Sequence, residues 1–409
     1  MPVTISDIRE ARERIQGVIN HTPMVQDAIL GARLGGHALL KAESLQRAGS
    51  FKIRGAYNKI SQLSPEERDR GVITASAGNH AQGVALAAKL NGIRATIVLP
   101  VFAPLTKIMA TKAHGADVIM HGNTFDEAVE HSRELQKEHG FTYVHAFDDD
   151  LIIAGQGTIG MEIVESALDV STVVVPIGGG GIISGIATAI KELKPGVRII
   201  GVQAENVAPV NLSLKAGHPV EAPYKQTIAD GIAIKRPAER TLAIIKDKVD
   251  EVVEVSEEEI AEAIFHLAQN AHLVVEGAGA AGVAALLSGK AKVGENETVC
   301  AVLCGGNIDG NLLARVIEQV LVRRGRYIIL KVLVPDRPGS LAGMLEIVAE
   351  LHANVIEVYH QRAIWLAPLG SVGIETILEV RDEEHGNEVQ ERLRKAGYYV
   401  EQAGDDWRG

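Results

Sequence analysis

Thr172-Val173-Val174-Val175-Pro176-Ile177 runs directly into Gly178-Gly179-Gly180-Gly181, and from Ile182 onward the apolar residues recur at helical spacing as far as Leu193. The run before the glycines has almost no polar alternation, which marks a strand covered on both faces. Four glycines between such a strand and a helix let the backbone close around a ligand, with amide hydrogens and the helix dipole aimed at an anion. Ile183 and Ser184 stand where the last glycine of G-x-G-x-x-G would fall, and no G-x-x-x-x-G-K-[S/T] occurs. One phosphate is expected, not a dinucleotide or ATP. Close packing alone is a weak account of four glycines in a row.

The same alternation extends outward through residue 320 or so. Short Val/Ile-rich runs at 95–99, 116–120, 198–202 and 298–303 alternate with helix-period stretches at 80–90, 124–138 and 256–269, the last opening with the capping-box pair Ser256 and Glu259. This order predicts open, mainly parallel α/β sheets clothed by helices on both faces. Beyond that point the pattern changes to strand 327–334, helix 340–351, strands 354–362 and 372–380, helix 383–396 and strand 398–402. That is βαββαβ, a ferredoxin-like unit with its own core. The charged segment Arg323-Arg324-Gly325-Arg326 is the expected linker, which divides the chain into 1–324 and 325–409.

Composition narrows the function. The chain has 409 residues, of which 46% are apolar, 23% charged and 42 glycine, with a net charge of −11. Such a chain folds into two or three domains, and its overall field does not favour a phosphate backbone, so no nucleic-acid partner is expected. Only Cys300 and Cys304 are present, too few for a disulfide framework or a four-cysteine zinc site, which suits a reducing compartment. The N-terminus mixes charges from the start, and no uncharged apolar stretch is long enough to span a bilayer. A cytoplasmic protein without membrane contact is expected.

Three further motifs carry chemistry. Ser50-Phe51-Lys52-Ile53-Arg54-Gly55-Ala56 offers a lysine, although alone it reads more readily as the start of an amphipathic helix. Ser76-Ala77-Gly78-Asn79-His80 follows the strand-like Val72-Ile73-Thr74 and precedes a helix. A turn of small residues there points successive N–H groups at one spot, where a carboxylate can bind, or it is simply a tight turn with a capping Asn. Cys304-Gly305-Gly306-Asn307 closes the run 298–303, at the strand end where open α/β sheets bind ligands, although a free cysteine is as often a buried structural residue.

Taken together, S-F-K-x-R-G-A, S-A-G-N-H-A-Q-G, G-G-G-G and C-G-G-N, with Ala229-Asp230-Gly231 between the last two, resemble the pyridoxal-phosphate enzymes of the tryptophan-synthase-β fold type (fold type II), and within them most closely the threonine ammonia-lyases (threonine dehydratases). The resemblance spans roughly residues 5–320. Residues 327–403, with Asp336-Arg337-Pro338-Gly339-Ser340-Leu341, resemble an ACT regulatory domain, the arrangement of single-ACT threonine ammonia-lyases.

The resemblance implies that Lys52 carries pyridoxal 5'-phosphate as an imine and, once displaced by substrate, serves as the base at Cα. It implies that Phe51 lies near the ring face, that Asn79 bonds the ring hydroxyl, and that Gly178, Gly179, Gly180 and Gly181 hold the phosphate. Cys304 meets the pyridine nitrogen, and Ser76, Ala77, Gly78, Asn79 and His80 hold the substrate carboxylate. A neutral thiol supports a pyridinium less well than an aspartate, so expulsion of a β-hydroxyl is favoured over transamination. L-Threonine, and with it L-serine, is the implied substrate, giving 2-oxobutanoate or pyruvate and ammonia. Ala77 stands where racemases of this fold carry a serine base. Gln203, Val207 and Pro209 replace their acidic cation ligands, so no metal is expected despite nearby Glu205. For the C-terminal unit the resemblance implies an amino-acid effector, isoleucine first, at Gly339, Ser340 and Leu341, and a homodimer or homotetramer. The competing readings are an L-serine ammonia-lyase or broad hydroxy-amino-acid eliminase, a β-replacement enzyme such as cysteine synthase, and a non-catalytic amino-acid sensor; a ferredoxin-like unit serving only oligomerisation competes for the C-terminal part.

Overall fold

The computed structural model describes residues 3–103, 105–361 and 368–402. Arg362 at the end of the expected strand 354–362, and residues 403–409, lie outside them. The chain divides into two compact units, Met1–Asp309 and Gly310–Gly409. The helix Gly310–Arg323 thus goes with the second unit, where it packs on strand Tyr327–Pro335, whereas the charged run at 323–326 had suggested a boundary after it. Val316 and Val320 are buried on this helix, so it is a packed element with an apolar stripe rather than part of an exposed linker.

The first unit contains two sheets. The larger has the order Met24–Gln26, His37–Lys41, Thr298–Val302, Val170–Pro176, Arg198–Ala204, Glu251–Val255, parallel except at its first strand. The smaller, Asp117–Met120, Ala95–Leu99, Val72–Ala75, Thr142–Tyr143, is wholly parallel. Strand Ala95–Leu99 shows why its sequence is mostly apolar. Ile97 and Leu99 join a core with Val84, Ala85 and Ala88 of helix Asn79–Leu90, while Val98 points the other way, against Ala128 of helix Phe125–His139. Helix ends follow their caps. Thr124 accepts from Glu127 N, and Ser256 with Glu259 forms the expected reciprocal capping box before Glu257–Gln269.

The second unit has one antiparallel sheet, Asn354–Gln361, Ser371–Glu379, Tyr327–Pro335, Tyr399–Gln402, with helices Ser340–Glu350 and Glu383–Lys395. This is the ferredoxin-like strand order, 2-3-1-4 within the unit. Ile328, Leu330, Val332 and Val334 alternate inward along the central strand and pack on Met344 and Val348 of the first helix and Val389 and Leu393 of the second.

Candidate active site

Lys52 opens helix Lys52–Ile60 at the cleft of the first unit. Its Nζ donates to the Ala146 carbonyl at 3.1 Å and lies 5.1 Å from the Phe51 ring centroid. Burial lowers its ammonium from 10.5 to about 8, against the opposing pull of Cys304 and Glu276. An amine so placed is a usable nucleophile and base near neutral pH.

The glycine run turns from strand Val170–Pro176 into helix Gly181–Leu193, whose N-cap, Gly180, supplies no side-chain cap. Its first N–H groups are left for an anion. The close fit of Phe147 explains why the run must be glycine: a Cβ on Gly179 would come within 2.2 Å of Phe147 Cδ1. Across the cleft, Gly78 caps helix Asn79–Leu90, again with no side-chain cap. Ser76 Oγ accepts from Gly78 N at 3.2 Å and so helps to shape the turn. The His80 imidazole is turned inward, donating from Nε2 to the Val144 carbonyl at 2.9 Å, and burial together with Lys52 lowers it to about 3. It is neutral, and only the backbone at His80 is available to a carboxylate.

Cys304 is 4% exposed, and burial, reinforced by Glu276, raises its thiol well above the usual range. Phe51, Lys52, Ser76, Ala77, Gly78, Asn79, His80, Gly178, Gly179, Gly180, Gly181 and Cys304 all line one cavity of about 390 Å³. A cavity of that size accommodates a compact cofactor and a small substrate. The second unit carries the remaining expected positions. Gly339 is the left-handed N-cap of helix Ser340–Glu350, and Leu341 packs against the core of that unit.

Sequence reasoning missed four contributors to the wall. Glu276 caps helix Gly277–Leu287 and is 4% exposed. Burial, then the charge of Asp230, raises its carboxyl to about 7. Lys107 pairs with Asp230 beside it, and Phe147 and Tyr224 complete the lining. The one available signal was an acid immediately before Gly277-Ala278-Gly279-Ala280-Ala281-Gly282, a helix start too small to need a charge for solubility. Gln203, where a cation ligand would stand in the racemases, is buried, with its Oε1 accepting from Val210 N at 3.0 Å and Asn211 N at 3.3 Å. Among the described residues no group of three or more His, Cys, Asp or Glu is placed to hold a metal.

A family profile described as pyridoxal-phosphate dependent enzyme matches residues 15–305. The chain belongs to that family. This pyridoxal-phosphate enzyme is 50% identical to an L-threonine ammonia-lyase of Thermotoga maritima over 398 residues, 97% of this chain and 99% of the relative. Threonine deaminase isoform 2 of Solanum lycopersicum is 40% identical, with a TM-score of 0.73 over 79% of this chain and 91% of that one. Maize serine racemase is 35% identical, with a TM-score of 0.74 over 79% and 99%. The catalytic unit of this pyridoxal-phosphate enzyme therefore has the type II fold. The uncapped glycine-wrapped helix start, a lysine and a neutral buried thiol fit the phosphate, aldehyde and ring nitrogen of the cofactor. No helix among the described residues is long and apolar enough to cross a membrane.

Proposed function

We propose that this chain is an L-threonine ammonia-lyase, eliminating the β-hydroxyl of L-threonine, and of L-serine, to give a 2-oxo acid and ammonia. The observation that carries the reading is the meeting, in one cavity, of Lys52, the Gly178–Gly181 helix start and the protonated thiol of Cys304. Likeness over 97% of the chain to the Thermotoga enzyme supports the same substrate class.

Pyridoxal phosphate, when bound, supplies an aldehyde that condenses with amines and a ring that accepts the electrons released at Cα. Lys52 would hold the cofactor through its Nζ, and the same nitrogen, once released, would take the Cα proton. Its lowered pKa keeps a usable fraction unprotonated. The N–H groups of the turn 76–80 orient the substrate carboxylate. The neutral thiol of Cys304 would meet the ring nitrogen without adding negative charge there, and the cofactor would then be a weak electron store that favours elimination. Ala77 offers no proton on the opposite face of Cα, which disfavours racemisation.

A single methyl separates threonine from serine, worth only ~1–3 kcal/mol in a pocket, and this favours turnover of both. A non-catalytic sensor is disfavoured by the intact cavity and its activated lysine. For the second unit we propose an amino-acid effector, isoleucine first, at Gly339–Leu341. Nothing lies within 4 Å of a Cβ built on Gly339, and the helix behind it starts without a side-chain cap. The assembly proposed is a homodimer or homotetramer. The test is release of ammonia and 2-oxo acid from threonine and serine, with and without isoleucine. Protein that is yellow with cofactor yet releases nothing from either substrate would overturn the reading.

A further inference from the structure

Asn79 is held by two side chains, one at each end of its amide. Its Nδ2 donates to Glu276 Oε1 at 2.5 Å, and its Oδ1 accepts from Asn307 Nδ2 at 2.8 Å. The same Asn307 nitrogen donates to the Ala48 carbonyl at 2.8 Å. A backbone carbonyl only accepts, so the NH₂ of Asn307 must face that way, and both its hydrogens are then spent. That choice propagates: Asn79 must present oxygen to Asn307 and nitrogen to Glu276. One N–H of Asn79 remains, on a residue that lines the cavity.

We propose that Glu276 is a positioning residue, whose ionised carboxylate locks the Asn79 amide with its remaining N–H toward the cofactor and whose protonation releases it. The inference rests on the reading that Asn79 serves the cofactor's ring hydroxyl. With Glu276 ionised, a flipped Asn79 sets oxygen against oxygen at one end and nitrogen against nitrogen at the other. Once protonated, the carboxylic acid can donate to the flipped oxygen, and only one mismatch remains. The fit is tight on the far side too, since a Cβ on Gly305 would sit 2.3 Å from Glu276 Oε1.

Several charged and titratable groups bear on Glu276. Asp230 opposes its ionisation, and Lys107 and Lys52 favour it, while Cys304 is in turn made harder to ionise by it. The balance places the change of state near pH 7, inside the working range of an enzyme.

The experiment titrates the visible absorbance of substrate-free holoenzyme, and the carboxyl infrared band of the cofactor-free protein, in wild type, Glu276→Gln and Asn307→Ala. Wild type is expected to show a step near pH 7 by both methods. Glu276→Gln, which lacks the charge, loses both steps, and its kcat falls about tenfold with KM little changed, as for a misplaced cofactor contact. Asn307→Ala retains the infrared step but lowers kcat in the same sense, and Glu276→Asp restores part of both. A Glu276→Gln protein whose titrations and kcat overlay those of wild type overturns the inference. If Glu276→Gln does not fold, Asn307→Ala decides alone: unchanged kcat and absorbance there overturn it as well. Failure of the underlying reading looks different, because wild type then shows no visible band, or Lys52→Ala keeps it.

Discussion

The two units solve the same packing problem and put it to different use. The second unit closes an antiparallel sheet over a core of aliphatic residues, and its helices cover the inward side of Ile328, Leu330, Val332 and Val334. The first leaves a cavity between two mainly parallel sheets and lines it with groups that burial disturbs, above all Lys52, His80, Glu276 and Cys304. Parallel strands deliver their carboxyl ends, and hence their loops, to one side, which is how Gly178–Gly181 and Cys304 arrive together. An antiparallel sheet distributes its turns to both ends and gathers no comparable cluster. Chemistry therefore belongs to the first unit, and the second is proposed to report on it.

The largest effect should come from Lys52→Ala. Ammonia release is expected to fall about 10³-fold or more, and the visible band of bound cofactor to disappear, because both the covalent tether and the base are lost. Turnover near wild type in that variant would remove the distinction between the units at its root. Gly179→Ala should be next. Its added Cβ meets Phe147 at 2.2 Å, an overpacking that costs ~1–3 kcal/mol and weakens cofactor binding roughly tenfold. Combining it with Phe147→Ala should recover much of the loss in a fluorescence titration of cofactor into apoprotein.

The depressed pKa of Lys52 gives a prediction with a definite sign. Only the unprotonated amine attacks an aldehyde, so the rate of cofactor uptake by apoprotein rises with pH and levels off above about 8, not near 10.5. A rate still climbing at the higher value would show that the amine is solvated like a surface lysine. The smallest effect is expected from removing the second unit. Truncation after Asp309 should leave turnover nearly intact and abolish the response to isoleucine. Truncation after Arg324 leaves helix Gly310–Arg323 without strand Tyr327–Pro335, on which it packs, and should yield protein more prone to self-association on size-exclusion chromatography.

Much of this architecture was legible in the chain. Residues 95–99 match strand Ala95–Leu99 to the residue, because an apolar run buried on both faces has no softer interpretation. The strand read at 172–177 begins earlier, at Val170, because Val170 pairs with Thr298, and sequence does not show register. The short strands Met24–Gln26 and His37–Lys41 carry no comparable run and exist by virtue of the neighbours they pair with. At the site, motifs that concentrate glycine or a lysine were visible because each is unusual locally. Glu276, Lys107 and Phe147 were not, since each is ordinary in its own segment and acquires its role from what faces it.

By itself, then, the order of residues determined the parallel and antiparallel units, the phosphate-sized glycine turn and the lysine that waits beside it, all of them properties of contiguous stretches. The tertiary structure alone decided that a carboxylate, two asparagines and a thiol from three distant segments meet at one cavity. Ionisation and hydrogen-bond direction depend on which groups lie a few ångströms apart in a poorly solvated space, and no local pattern encodes that distance.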